Sequence, residues 1–248
     1  MKQRLDQLMT VRGLVPTRSQ AESWIRLGRV KVNGAVVTKP GSFVDEAASV
    51  SLDAPEQYVS RAGLKLASVA NALGIRFADK VVLDVGSSTG GFTDYALQHG
   101  ARKVYAVDVG TDQLHPSLRG NPHIELHEKT DIRNFQPKEC PDIVVMDVSF
   151  ISVRELLPYI VTIISAHTQV VVMVKPQFEA ARTQIGSSGV IKNDKVRREI
   201  LLGFELWVKE YFVVCAKADS EVKGSRGNRE RLYLLQRTKT LQKNHIMV

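Results

Sequence analysis

The chain is short of cysteine, of long apolar runs and of negative charge, and each shortage removes a class of protein. Its 248 residues include only Cys140 and Cys215, far apart and with no Cys-x-x-Cys, so neither a disulfide framework nor a zinc or iron–sulfur site is indicated. The longest apolar stretches, such as residues 170–174, have the length of a strand and fall well below the roughly 20 residues of a membrane helix. Strongly amphipathic segments are also missing, which leaves a pore-forming or lytic protein without its apparatus. Met1-Lys2-Gln3-Arg4 leads into a charged helical pattern with no signal-peptide character, so a cytoplasmic location is expected. His123 and His127 have a spacing that could bind metal on a helix, but Ile124 and Leu126 alternate with them. That alternation reads as a strand with the histidines on its solvated face, and no metal site is expected.

Acidic residues number 26 against 34 lysines and arginines, a net charge of +8, and a positive field of this kind favours a polyanionic partner. The excess is concentrated early: residues 1–31 hold seven basic side chains against Asp6 and Glu22. Pro16-Thr17 followed by Gln20 has the form of a capping box, with Thr17 accepting from the backbone and Gln20 reaching back. Ala21, Trp24, Ile25 and Leu27 then recur at helical spacing up to Gly28. Val30-Lys31-Val32, Asn33-Gly34 and Ala35-Val36-Val37 spell a β-hairpin, and Leu5, Leu8 and Met9 suggest a preceding helix. Two short helices and a small basic hairpin resemble the RNA-binding domain first described in ribosomal small-subunit protein four. That resemblance makes residues 1–53 a separate RNA-binding unit, with Arg4, Arg18, Arg26, Arg29 and Lys31 as candidate RNA contacts. Ala54-Pro55-Glu56 opens a linker over 54–60.

The segment from Asp84 to Thr93, Asp-Val-Gly-Ser-Ser-Thr-Gly-Gly-Phe-Thr, follows the apolar run Val81-Val82-Leu83 and reads as a strand turning sharply into a helix. Its glycines permit positive φ and close approach of a ligand to bare peptide. A dinucleotide fold wants Gly-x-Gly-x-x-Gly; the middle position here is Ser88. A pyrophosphate is therefore disfavoured, and a nucleoside with a cationic tail, S-adenosylmethionine, suits the loop better. Asp84 can attract the cationic methionine end, and Asp108, closing the run Val104–Val107, is placed to bind ribose hydroxyls.

Past the linker, Ser60 caps a helix carrying Leu66, Val69 and Leu73 on one face and ending at Gly74. Strands are expected at 81–85, 103–108, 123–127, 142–147 and 169–174, a last helix over roughly 196–207, and an antiparallel edge pair at 211–217 and 231–236. The expected fold is α/β: a doubly wound, seven-stranded Rossmann-like methyltransferase sheet over residues 61–248, beside the small α+β domain. Ligands belong at the carboxyl ends of its central strands. Asp147 and Lys175 close two of those strands, Pro176 breaks regular pairing after the lysine, Lys65 lies on the helix before the cofactor strand, and Glu230 begins the last strand.

Residues 58–66, 84–94, 107–110, 147–152, 174–179 and Gly227-Asn228-x-Glu230 together resemble the TlyA family over nearly the whole chain. Its members are often labelled haemolysins. The resemblance implies a 2′-O-ribose methyltransferase of FtsJ-like type acting on cytidine in ribosomal RNA or ribosomal subunits, with S-adenosylmethionine as cofactor. It assigns the catalytic tetrad to Lys65, Asp147, Lys175 and Glu230. It further implies Asp84, Gly86, Ser88 and Gly90 around the methionine end, Asp108 at the ribose and Asp131 at the adenine amino group. The chain departs from the family pattern at Ala62, Ser187-Ser188 and Glu221, where glycine, Lys-Gly and proline are usual.

A ribose hydroxyl is a poor nucleophile at neutral pH, so such an enzyme needs a base and in-line alignment. Lysine serves only when neutral, and its reference pKa of about 10.4 would have to fall towards roughly 7 to 8. Lys175 is the expected base, Lys65 the neighbouring ammonium that favours its deprotonation and holds the hydroxyl oxygen, and Asp147 and Glu230 the orienting acceptors. The rival readings are a non-catalytic RNA-binding protein, which would not take up S-adenosylmethionine, and a membrane-lytic haemolysin.

Overall fold

A computed structural model of the protein describes residues 1–15, 17–53, 58–181, 185, 189–224 and 227–238. Pro16, the linker residues Ala54-Pro55-Glu56 and Ser187-Ser188 lie outside the described residues.

The first part of the chain runs β1 (Lys2–Arg4), α1 (Leu5–Val11), α2 (Arg18–Arg26), β2 (Val30–Val32), β3 (Ala35–Val36), β4 (Phe43–Asp45) and β5 (Val50–Leu52). β1 pairs with β4, and β2 is the centre of a small antiparallel sheet between β3 and β5. The hairpin turns through Asn33 and Gly34 at φ +50° and +82°, the positive pair that an Asn-Gly turn of the primed type demands. Thr17 caps α2 by accepting from the Gln20 amide at 3.2 Å. The Gln20 side chain does not reach back to close a capping box; its Nε2 donates to the Tyr58 carbonyl at 2.6 Å. A contact across the chain has displaced a local one.

The second part opens with α3 (Arg61–Leu73), capped by Ser60 and stopped by Gly74 in the left-handed region. There follow β6 (Val81–Val85), α4 (Gly91–Gln98), β7 (Lys103–Val107), β8 (Ile124–His127), β9 (Ile143–Met146), α5 (Leu157–Ile163), β10 (Gln169–Val174), α6 (Pro176–Glu179), α7 (Asp194–Val208), β11 (Phe212–Asp219) and β12 (Arg231–Arg237). They build a seven-stranded sheet in the order β11-β12-β10-β9-β6-β7-β8. β6 to β10 are parallel, while β12 is antiparallel to both β10 and β11. The expected terminal pair therefore forms with β11 outermost and β12 inside. The chain reverses its direction of winding between β6 and β9, and at such a switch the strand ends diverge into a crevice.

Alternation along the strands supplies both faces of the sheet. Val82, Val171 and Met173 join the cluster under α3 and α4, whereas Val81, Leu83, Val170 and Val172 join the one under α5 and α7. The first cluster does not stop at the domain boundary: Leu5, Met9, Trp24 and Ile25 share it with Tyr58, Leu64 and Val222. The basic N-terminal part is thus packed onto the second part through a common core, where the sequence suggested a unit folded on its own.

β8 corrects a second expectation. His123 is exposed as expected, but Leu126 is exposed too, while His127 packs its ring, tilted, at 4.5 Å against Phe135 and shares a hydrogen bond with Glu125 at 3.0 Å. An edge strand covered by the loop that carries Phe135 has lost the simple in-and-out alternation.

Candidate active site

Strand direction gathers residues that are distant in sequence. Asp147 follows β9 and Lys175 follows β10, and with Met146 opposite Val172 in a parallel pair both leave the sheet on one side. β12 runs the other way, with Arg231 opposite Val174, so Glu230 enters at the edge where Lys175 leaves. Lys65 arrives from α3, which packs against β11 and β12. Its Nζ lies over Met173 Sδ at 3.8 Å.

All four side chains line one cavity of about 410 Å³, arranged as two ion pairs. Lys65 Nζ is 2.5 Å from Glu230 Oε2, with both side chains almost wholly buried. Lys175 Nζ is 2.7 Å from Asp147 Oδ1, but out of line for a hydrogen bond to it; the hydrogen bond is donated instead to Ser149 Oγ, also at 2.7 Å. Lys65 was expected to act as an ammonium neighbour to Lys175. The charged partner that each lysine contacts is a carboxylate.

The glycine loop forms the facing wall. Gly86 holds φ +79°, and a Cβ added there would stand 3.1 Å from Val148 Cγ1, so any side chain would be both strained and crowded. Ser88 adopts φ +48°, fixed by its amide to Asp108 Oδ2 at 2.8 Å and its hydroxyl to Gln113 Oε1 at 3.0 Å. Asp108 Oδ1 accepts from the Gly110 amide at 2.6 Å. Asp108 thus stands rigidly in a second cavity of about 530 Å³, which adjoins the first by sharing Gly86, Ser88, Asp147, Ser149 and Phe150 with it. Asp131 lines this second cavity too, its carboxylate gripped by Arg133 Nε and Nη2 at 3.0 and 2.7 Å. Hydrogen bonds from Arg133 hold it below the usual carboxylate range.

Gly90 lines neither cavity. It is the N-cap of α4 at φ +89°, and the space a Cβ would take belongs to Leu114 and Leu118. Its place is in packing the turn.

Buried polar atoms in folded proteins are almost always paired, and the first cavity holds four without a hydrogen bond: Asp147 Oδ1, which has the Lys175 ammonium beside it, and Asp84 Oδ1, Ser87 Oγ and Gln177 Oε1. Asp84 Oδ2 accepts from Thr93 Oγ1 at 2.6 Å, leaving Oδ1 directed at nothing in the protein. Burial, assisted by the Asp147 and Asp108 carboxylates and opposed by Thr93, pushes the Asp84 carboxyl up to about 7. An orphaned acceptor beside the glycine loop, next to a cavity with a fixed carboxylate, fits a ligand with a cation at one end and a nucleoside at the other. Ser87, Ser149 and Gln177 were not singled out in the sequence. Their only signal was position, beside Asp84 and Gly86, two residues after Asp147 and two after Lys175 respectively.

Phe150 stands at the junction of both cavities, 90 % exposed and at φ +69°. The loop that carries it is tied to α6 by Glu179, which accepts from Ser152 Oγ at 2.7 Å and the Val153 amide at 2.9 Å.

The candidate RNA contacts divide. Arg4 and Arg18 both reach the buried Asp6 at 2.8 Å. Burial opposes ionisation of Asp6, yet the two guanidiniums hold it down at about 2. Arg29 lies 3.9 Å from Asp53. Arg26 and Lys31 are exposed and make no ion pair among the described residues. Among the described residues no cluster of His, Cys, Asp or Glu is arranged to hold a metal, and no helix is long and apolar enough to cross a membrane.

Comparison with known proteins adds the following. The FtsJ-like methyltransferase family matches residues 58–237, and the S4 domain matches residues 3–50. A candidate ribosomal RNA methyltransferase of Bacillus subtilis, YqxC, is 38 % identical, covering 92 % of this chain and 84 % of its own length. The 16S/23S rRNA (cytidine-2′-O)-methyltransferase TlyA of Mycobacterium tuberculosis is 37 % identical over 96 % of this chain and 90 % of its own. A solved structure of a candidate hemolysin from Streptococcus thermophilus superposes with a TM-score of 0.72 at 38 % identity, over 96 % of this chain and 90 % of that one.

Proposed function

Because this chain belongs to the FtsJ-like methyltransferase family, we propose that it transfers a methyl group from S-adenosylmethionine to the ribose 2′-hydroxyl of cytidine in ribosomal RNA. The observation that carries this reading is the pairing of Lys65 with Glu230 and of Lys175 with Asp147 in one cavity that is also lined by Asp84, with its orphaned Oδ1. The relative from Mycobacterium tuberculosis, whose name specifies cytidine and both ribosomal RNAs, supports the choice of substrate.

Bound in these adjoining cavities, S-adenosylmethionine would supply a methyl group already activated by its sulfonium charge. Asp84 would take the methionine ammonium, Gly86 and Ser88 would line the chain between the two ends, Asp108 would bind the ribose hydroxyls and Asp131 the adenine amino group; all five line the two cavities. The chain's own work is on the alcohol. Lys175 already donates to an alcohol oxygen, that of Ser149, so its Nζ meets hydroxyl groups at the right distance. In its neutral form Lys175 Nζ receives the proton of the 2′-hydroxyl as that oxygen gains its methyl. Lys65 Nζ holds the oxygen, while Glu230 and Asp147 fix the two lysines. Burial removes competing water and strengthens each of these contacts.

Residues 1–53 serve recognition and residues 61–248 serve chemistry, with Arg26, Arg29 and Lys31 as the N-terminal contacts to RNA and Arg4 and Arg18 holding that part together through Asp6. A ribosomal substrate places the protein in the cytoplasm, on ribosomal RNA or subunits. The test is to map 2′-O-methylated riboses in ribosomal RNA from cells with and without the gene. Loss of methylation at a discrete cytidine supports the reading, and identical maps overturn it.

A further inference from the structure

Between the N-terminal part and the catalytic part lies a third cavity of about 530 Å³, distinct from the two described above. One wall is built by Ser23, Arg26 and Thr38, the other by Arg61, Lys223 and Gly224, and Leu27 gives it apolar surface. Arg61 and Gly224 also line the catalytic cavity, so the groove opens into the active site. Among the described residues, Arg26, Arg61 and Lys223 make no ion pair. Two acids are present as well: Glu22, which lies 3.9 Å from Arg18, and the exposed Glu221.

We propose that this groove holds the phosphodiester backbone of the RNA strand next to the methylated nucleotide, with Arg26, Arg61 and Lys223 contacting phosphates. The proposal rests on the reading of the protein as an RNA methyltransferase and extends it to a location. Three arguments support it. Unpaired guanidinium and ammonium groups in a concave surface are a phosphate-binding array. Leu27, only partly buried, supplies apolar surface for sugar and base, which a free anion would not use. A strand whose target ribose sits at Lys175 has to leave the catalytic cavity somewhere, and this exit joins the two parts that carry separate tasks. The common core of those parts fixes the groove's shape before RNA arrives, which lowers the ordering cost of binding. Glu221 sets an electrostatic limit on affinity, because a carboxylate beside a phosphate repels it.

The test uses the full-length protein and deproteinised ribosomal RNA, with affinity measured across a salt series. The double variant Arg26→Gln/Lys223→Gln is expected to bind RNA about tenfold more weakly, with the slope of log affinity against log salt reduced by roughly 0.7 per cation removed. Glu221→Gln is expected to bind more tightly, an outcome that loss of folding cannot mimic. Cofactor affinity and melting temperature of each variant serve as controls. Unchanged affinity and slope in the double variant, with methyl transfer by the wild type intact, overturn the groove and leave the enzyme standing. Absence of methyl transfer by the wild type on both deproteinised ribosomal RNA and intact ribosomal subunits overturns the enzymatic reading itself. A Glu221→Gln variant that binds no better than wild type also counts against the groove, since the carboxylate would then be remote from the phosphates.

Discussion

Lys65 and Glu230, 165 positions apart in sequence, meet at 2.5 Å with their side chains 9 % and 3 % exposed. A buried pair contributes little to stability relative to apolar replacements, but breaking it strands a charge at a cost of about 3 to 5 kcal/mol. Glu230→Leu is therefore expected to lower unfolding free energy by about 3 kcal/mol. Lys65→Met/Glu230→Leu should recover most of that loss. Both variants should lack methyl transfer. Denaturant unfolding beside a tritiated-methyl transfer assay separates the two effects, and a double variant as unstable as the single one would refute the pairing.

Lys175 touches Asp147 and Ser149 and lines the cavity with them. Lys175→Ala is expected to reduce methyl transfer by at least about 100-fold, the lower range for losing a general base, with S-adenosylmethionine affinity kept within several-fold. Ser149→Ala removes only the acceptor that orients the lysine, so a loss of about tenfold in kcat with little change in KM for RNA is expected. Near-normal turnover in the lysine variant would remove it from the chemistry.

The architecture was legible because its central strands stand out: Val81–Val85, Lys103–Val107 and Gln169–Val174 are buried on both faces and read as continuous apolar runs. Asp147 and Lys175 were legible as polar residues ending such runs. Lys65 was not marked by periodicity, since a lysine on an amphipathic helix usually faces solvent; the family resemblance supplied it. Gly86 and Gly90 look alike in sequence and differ in space, one beside Val148 and the other under Leu114 and Leu118. Arg4 and Arg18 were counted as free positive charge because the burial of Asp6 leaves no local trace. Gln20 satisfied a local motif and was taken by Tyr58.

The shared core changes what deletion of residues 1–53 should do. Leu5, Met9, Trp24 and Ile25 pack in one cluster with Tyr58 and Val222, so cutting them away exposes apolar surface worth about 25 cal/mol per Å². The truncated protein is expected to lose RNA affinity and also to melt at least about 5 °C lower, the equivalent of roughly 2 kcal/mol for a domain of this size. An unchanged melting temperature would mean that the two parts are energetically independent.

On the proposed reading, Asp84 couples cofactor binding to pH. Its folded-state pKa of about 7 lies above the ordinary 3.8, chiefly through burial, so the folded protein holds a proton there that the unfolded chain has released. Stability of the ligand-free protein therefore declines as pH rises from about 4 to about 7 and levels off beyond it. Asp84→Asn should abolish that slope and raise stability at pH 8 by at most about 4 kcal/mol, at 1.36 kcal/mol per pKa unit. A cationic ligand end at Oδ1 acts in the opposite sense by favouring the carboxylate. S-Adenosylmethionine should then bind more tightly as pH rises through 7, releasing close to one proton per molecule bound at about pH 6 and almost none at about pH 8. Titration calorimetry in two buffers of different ionisation enthalpy counts that proton directly. Equal apparent enthalpies in both buffers at the lower pH would show that the methionine ammonium is not held by Asp84.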